Sequence, residues 1–524
     1  MAPAVLVASA EAGSVGLGGV DMKKLGMCVL LALALGLAAC SDSDQTPATG
    51  GPGGTAGQSG SGGSGGAGAT GGGAGAAGTG GAAGMGGTAG SGGSSGGGSL
   101  GEAGLVPNYD PYTLPVDAIH VDPTNAADSA QDGSLAHPYD SFGKLSFSDG
   151  AVVVVKRGTT IDIDVLEIKA NGVTLGAYGT GDAPVIHSTA VAAGSNKYAV
   201  YTGDKHDIVV RDLEIYAPDA TSLLRFQGGS NVRVVNCKLH GAYWGVRTFS
   251  IDGFKLENSE IYDILEDGVF VQGVTNIEIA HLYVHDVNQN WKPPYTSQAD
   301  AGGDGVQFDS CNKWHVHHNV IDRTNSANKF CFISNNPNQD DGVFEYNVLS
   351  GPRTTGGDGG ASIYLHDGNG LVIRYNLVQA PTPSPFYSHA EGLKIYGNVF
   401  TGASGSLFAS GSAEVLNNLF FDQSGGVSGG AITAQNNIFS LAGGSTFDVQ
   451  SLTEDHNLLT SGTPGSGSFL GDPKLVAPTQ GDFHLGAGSD AIDKGADVGL
   501  SEDLDGVSLP QGGGFDIGPY EYVP

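Results

Sequence analysis

The segments HHNVI (317–321), EYNVL (345–349), RYNLV (374–378), YGNVF (396–400), LNNLF (416–420), QNNIF (435–439) and DHNLL (455–459) place one asparagine in one apolar frame seven times. The asparagines are Asn319, Asn347, Asn376, Asn398, Asn418, Asn437 and Asn457, spaced by 28, 29, 22, 20, 19 and 20 residues. An apolar residue stands three positions before most of them (Val316, Phe344, Ile373, Ile395, Val415), and another two positions after (Ile321, Leu349, Val378, Phe400, Phe420, Phe439, Leu459). A period of this length, made of short β-branched runs and turns and not of amphipathic helix, is the mark of a strand solenoid. Equivalent residues of successive coils then lie about 4.8 Å apart, one strand spacing. At that distance a buried asparagine hydrogen-bonds its copies above and below and satisfies the turn backbone as well. Asparagine also marks turns for local reasons, but seven hits in one frame weigh against that simpler reading.

This frame resembles that of right-handed parallel β-helix proteins of the pectate-lyase-like superfamily, whose coils have three strands and an asparagine ladder at the short turn between the second and third. The earlier segments NVRVVNCKLHGAYWGVRTFS, DGFKLENSEIYDILEDGVFVQG and NIEIAHLYVHDV fit the same frame with Asn236, Asn258 and His281 one position earlier. The resemblance covers roughly residues 115–524. It implies an all-β fold, a right-handed parallel β-helix with three-strand coils and an asparagine ladder, standing behind a disordered glycine-rich tether.

Working outward, Met22 begins MKKLGMCVLLALALGLAAC, a basic start and an apolar core too short to span a bilayer, ending in Leu37-Ala38-Ala39-Cys40. This resembles a bacterial lipoprotein signal, which implies cleavage before Cys40, lipidation of Cys40, and Met22 as the true start. Residues 1–40 are therefore read as the signal region. Residues 41–106 are almost wholly Gly, Ser, Ala and Thr, a composition that cannot bury enough apolar surface to offset its ordering entropy. Such a linker reaches very roughly 45 Å. Residues 107–190 read as an N-terminal cap and first coil, with the segment DGSLAHPYDSF resembling the opening of secreted β-helix enzymes. Residues 191–460 are the helix repeats, and 461–524 resemble a C-terminal cap shared by many such proteins, where an arginine usually follows the D-x-D-G segment and Leu509 stands nearby here.

Charge is sparse (15% of residues) and glycine abundant, and the formal net charge of −31 argues against nucleic acid or an anionic membrane surface as partner. It suits an extracellular protein, a monomer held to the outer membrane or cell surface through its lipid anchor, and one that uses Ca2+. Beyond the signal stand Cys237, Cys311 and Cys331; the last two lie 20 residues apart, near one coil, within reach of a disulfide. The chain has no C-x-x-C, H-E-x-x-H or G-x-S-x-G motif, which removes zinc fingers, zincins and serine hydrolases of that type.

In the resembled family, substrate lies along the first strand of each coil. These strands are GVRTFS, DGVFVQG, DGVQFDS, KFCFISN, ASIYLHD, PFYSHAE and SLFASGS. Alternation puts Val269, Val306 and Ile363 inside and turns Arg247, Phe270, Gln272, Gln307, Asp309, Tyr364, His366, Tyr387 and His389 outward. Aromatic, amide, acid and imidazole groups on one face are what a sugar groove needs, although each alone is an ordinary surface residue. Insertions at about 287–303 and 350–360 would wall that face, bringing Trp291, Lys292, Tyr295 and Arg353 as gripping residues. Fold does not choose the reaction. A polysaccharide lyase acting by β-elimination on an acidic polymer is favoured: Asp267, Asp304 and Asp309 would hold calcium, and Asp304, Asp309, His366, Lys329 and Arg353 are the candidates for base or neutraliser. A two-carboxylate glycoside hydrolase and a non-catalytic glycan-binding or adhesion module are the alternatives. Asp267 and Asp304 occupy the same place in successive D-G-V segments and should stack, either around a shared charge conflict or as turn caps facing solvent.

Overall fold

The computed structural model describes residues 100–191, 197–288, 303–323, 330–337, 339–351, 361–379 and 384–524. From Tyr198 onward each coil contributes three short strands, and every strand pairs in parallel with its counterpart one coil away. The first sheet stacks Tyr198–Gly203, Ser222–Gln227, Trp244–Phe249, Val269–Gln272, Val306–Asp309, Phe332–Asn335, Ala361–Leu365 and Ser384–Ser388. The second runs from His206–Arg211 to Leu393–Tyr396. The third runs from Glu214–Tyr216 to Leu458–Leu459. In the last coils the first two strands fuse into single runs, Leu407–Leu416, Val427–Gln435 and Phe447–Asp455.

Period-2 alternation sends Val, Ile, Leu and Phe into the tube, where Phe226, Phe254, Phe308, Phe332, Phe344 and Trp314 are almost wholly buried. Aromatics also stack coil on coil, with Phe400, Phe420 and Phe439 at centroid spacings of 5.4 and 4.8 Å. The seven asparagines form the expected inner ladder. The Asn319, Asn347, Asn376, Asn398, Asn418 and Asn437 amides each donate to the Oδ1 of the next, at 2.9 to 3.1 Å. Asn457 closes the series on the Ser468 hydroxyl.

The three earlier residues behave differently. Asn236, Asn258 and His281 take the left-handed conformation (φ 55, 43 and 56°) on the outside of the same turn, in a row that continues through His318, Tyr346, Tyr375, Asn417, Asn436 and His456. The inner positions beside them are Cys237, Ser259 and Leu282, so the ladder begins only at Asn319, whose Oδ1 accepts the Leu282 N–H. The one-residue offset in the sequence is thus a change of side and not of turn.

The N-terminal segment lies over this outer row. Gly104 N–H donates to the His318 carbonyl, Val106 N–H to Asn258 Oδ1, and Asn236 Nδ2 to the Tyr109 carbonyl. Asp110 then receives Arg211 and Arg233. Residues 100–106 therefore belong to the cap, and the linker boundary expected at 106 falls too late. Cys311 and Cys331 are free, buried thiols, as is Cys237. Cys311 follows a first-sheet strand and turns its Sγ to the Val271 carbonyl, whereas Cys331 precedes the next such strand, so nearness in coil number does not bring the sulfurs together.

The far cap covers the same turn, with Asn417 and Asn436 donating to the carbonyls of Gly518 and Ala496. In place of the arginine the family pattern uses, main-chain N–H groups of Asp505, Val507 and Glu521 satisfy Asp503. His484 bridges Asp505 and Asp482, each at 2.7 Å, and these bonds raise it to about 9. A histidine raised on folding stabilises below its ordinary value of about 6.5 and loses that contribution as pH climbs. The melting temperature is expected to fall from pH 6.5 to 9 in the wild type and to fall less steeply in His484→Gln. Parallel pH curves for the two would remove the bridge from the account.

Candidate active site on the first sheet

The first sheet carries two outward rows, set by register. One row is Arg225, Arg247, Phe270, Gln307, Ile333, Tyr364, Tyr387 and Phe408. The other is Gln227, Phe249, Gln272, Asp309 and Asn335. His366 and His389 continue the second row, their N–H groups bonding to the Ser334 and Leu365 carbonyls of the preceding coils. Between them, Thr248, Val271, Phe308, Ser334 and Leu365 point inward, fully buried, as do Val246, Val269, Val306, Phe332 and Ile363 ahead of the first row. All the described candidates for substrate contact therefore share one face, while Cys40, Lys329, Arg353, Trp291, Lys292 and Tyr295 lie outside the described residues.

At one end of this face cations sit among aromatics. The Arg247 guanidinium carbon lies 4.2 Å from the Trp244 ring centroid, 5.0 Å from Phe249 and 5.5 Å from Phe270. Arg225 packs 4.3 Å over Phe249 and 5.0 Å over Tyr198. Stacking orients a guanidinium but satisfies none of its five N–H donors. Arg225 uses one on Gln227 Oε1. Arg247 makes no hydrogen bond or ion pair among the described residues, and its Nε is buried without a partner. Burial, and then the Arg225 charge beside it, lower its affinity for its own proton. Such a group is poised for an incoming anion.

At the other end is an aromatic platform. Tyr364 and Tyr387 stack at 5.6 Å and 9°, and Tyr387 and Phe408 at 4.5 Å and 22°. His366 and His389 flank it, their centroids 6.2 Å apart, with His389 Nδ1 bonded to Ser410. Phe249, Trp244, Arg225, Asn335 and Phe408 were not singled out from the sequence, although Arg225 in SLLRFQ and Phe249 in WGVRTF follow from the alternation that gave Arg247.

Between the two ends lies Asp309, at an outward sheet position yet only 7% exposed. Its Oδ1 accepts the Gln307 amide at 3.1 Å, it has no cation partner among the described residues, and burial raises its carboxyl above the ordinary value.

Asp267 and Asp304 do stack, and the stacking is structural. Asp267 Oδ1 accepts the Asp304 N–H at 2.8 Å, and Asp304 Oδ1 accepts the Phe330 N–H at 2.9 Å. Each thus caps the turn of the following coil, but both are buried (6% and 5% exposed) and do not face solvent. Burial first, then the Asp304 and Glu266 charges, push the Asp267 carboxyl well above its usual range. The glycine after each aspartate serves packing: a Cβ on Gly268 would lie 2.7 Å from the Gly305 carbonyl oxygen. The expected three-carboxylate constellation is corrected. Asp304 and Asp309 are five residues apart on extended chain, roughly 16 Å, and Asp267, Asp304 and Asp309 are not among the groups of three whose ligand atoms gather within 4.8 Å. Asp309 and His366 share a row instead, two coils apart with Asn335 between, about 10 Å.

The family described as the right-handed β-helix region matches residues 175–340. The chain is a right-handed parallel β-helix. Among solved structures it is similar to a complex of XylC with xylose, at 10% identity over 78% of this chain and 98% of that one, with a TM-score of 0.51. It is also similar to pectate lyase Pel9A (14% identity, 78% and 97% covered, TM-score 0.43) and to a GH136 lacto-N-biosidase from Eubacterium ramulus (13% identity, 65% and 67% covered, TM-score 0.42). Identities this low establish the shared β-helix and nothing of the reaction. No curated protein sequence matches the chain.

Proposed function

We propose that this β-helix is a carbohydrate-active protein that lays an acidic polysaccharide along its first sheet and cleaves it by β-elimination. The observation that carries the reading is the unpaired Arg247 guanidinium on the same face as the desolvated, cation-free Asp309 carboxyl. Tyr364, Tyr387 and Phe408 offer flat surface for sugar ring faces, and Gln272, Gln307 and Asn335 offer donors and acceptors for hydroxyls. Arg247 grips one uronate carboxylate about two coils from the reacting sugar. Asp309 takes the proton beside a second carboxylate, since a carboxyl raised towards neutrality is a better base. Neutralisation at that second sugar falls to Lys329 or Arg353.

The two aspartates fit a hard cation in part: the oxygens are of the right type, and a cation would relieve the repulsion between two buried carboxyls. Their Oδ1 atoms are, however, already engaged by main-chain N–H groups. If calcium binds there, it should raise the melting temperature of the wild type and not of Asp304→Asn. An equal rise in both would move any calcium elsewhere.

A retaining glycoside hydrolase is the second reading, which the one-strand spacing of that stacked carboxyl pair matches, although both aspartates are buried. Between the coils of Arg247 and His366, however, Asp309 is, among the described residues, the one carboxylate at an outward strand position, which suits one base better than two acids. Incubating the protein with a panel of uronate and neutral polymers, with and without calcium, separates the cases. New unsaturated ends support the lyase; reducing ends without them support the hydrolase; retention on polymer with neither leaves a glycan-binding module.

The lipoprotein reading of Cys40 would place this activity at the cell envelope, at the end of the glycine-rich tether. Cys40→Ser is expected to move the protein from the membrane fraction to the soluble one. Unchanged membrane association would sink the anchor.

A further inference from the structure

On the far side of the coil from the sugar-facing sheet, the second sheet and its following turn gather His281, His317 and His318. Each offers one ring nitrogen, and the three nitrogens lie within 4.8 Å of one another. The fold explains the convergence. Ala280 pairs with His317 in register, so His281 and His318 occupy equivalent left-handed positions (φ 56 and 54°) of successive coils, and His317 stands beside them at the strand end. The His281 and His318 rings stack at 5.1 Å and 22°, while His317 meets His318 edge-on, also at 5.1 Å.

Their polar atoms are arranged as a ligand shell is. His281 Nδ1 lies 3.1 Å from the Glu102 carbonyl oxygen and 3.3 Å from that of Gly104, so it donates, which leaves the lone pair on Nε2. His318 Nε2 is buried and has no hydrogen-bond partner, and Glu102 Oε2 stands 3.8 Å away. The Nδ1 atoms of His317 and His318 are 2.9 Å apart, near the ~3.3 Å that separates two nitrogens bound to one tetrahedral zinc at about 2.0 Å. His317 Nε2 has Glu278 Oε1 at 3.7 Å, the carboxylate partner that orients a metal-bound imidazole in many sites.

We infer that His281 Nε2, His317 Nδ1 and His318 Nδ1 bind a divalent transition-metal ion of the zinc class, with Glu102 orienting His318 from its Nε2 side. Three imidazoles with a position left open suit Zn2+ and not the all-oxygen preference of Ca2+ or Mg2+. The chain consequence is specific. Glu102 belongs to the turn Leu100–Glu102, whose carbonyl accepts from His281 and whose carboxylate faces His318, so the metal site ties the head of the N-terminal cap to two coils.

The test is calorimetric titration of ZnCl2 into chelator-treated, full-length protein carrying no affinity-tag histidines, with melting curves recorded before and after. One equivalent is expected to bind and to raise the melting temperature. His317→Ala should weaken binding at least tenfold while melting like the wild type without metal. Should that variant prove misfolded, Glu102→Gln, on a largely exposed carboxylate, is expected to lower affinity by a similar factor. Absence of a binding heat in the wild type, or affinity unchanged in the folded variants, overturns the site.

Discussion

Asn376→Leu is expected to destabilise the protein by roughly 3–5 kcal/mol or more, from about 1–3 kcal/mol for each buried polar group left without a partner. Asn376 is fully buried, and its Oδ1 accepts both the N–H and the Nδ2 of Asn347, at 3.0 Å each. Its own Nδ2 serves the Phe344 carbonyl at 2.9 Å and Asn398 Oδ1 at 3.0 Å. Leucine shares the branching at Cγ and restores none of these bonds, so the loss extends to the coil on either side. Denaturant unfolding measures it. A shift no larger than that of an exposed change such as Lys394→Ala would mean that the ladder contributes little to stability.

Asp309→Asn is expected to lower turnover by about 10²–10⁴-fold, the usual worth of a positioned acid or base, and to leave the melting temperature nearly unchanged. The amide keeps the shape of the side chain and can still pair with Gln307, and the carboxyl is desolvated without a compensating cation, so folding loses little when its charge goes. Arg247→Ala should act differently, raising KM more than it lowers kcat, because the guanidinium holds substrate at a distance from the reacting bond. Steady-state kinetics on the best polymer of the panel separates the two. Full activity in Asp309→Asn would remove Asp309 from the chemistry.

The ladder made the fold legible because its spacing, its apolar frame and its side-chain chemistry all depend on the same geometry. Where the frame slipped by one residue, at Asn236, Asn258 and His281, the sequence could not say whether a polar residue enters the tube or sits outside in a left-handed turn. Both are places where asparagine is favoured. Alternation likewise placed Arg247, Gln307, Tyr364 and Tyr387 on one face, since period 2 fixes which side a strand residue takes. What it does not fix is distance along the strand. Asp304 and Asp309 looked like partners because they share a strand, yet the one lies before Val306 and the other ends that strand. The freedom of Arg247 was out of reach for a related reason: an unpaired guanidinium is a statement about every neighbour at once, and with Arg225 the neighbours come from three coils.

The central claim, that the first sheet cleaves acidic sugar chains by elimination, is tested most directly by comparing one uronate polymer with its carboxyl-reduced form. Ultraviolet absorbance of unsaturated ends is followed beside total reducing ends. The uronate polymer is expected to yield unsaturated ends in step with reducing ends, and the reduced polymer to yield neither. Equal release of reducing ends from both, with no unsaturated product, would contradict the claim.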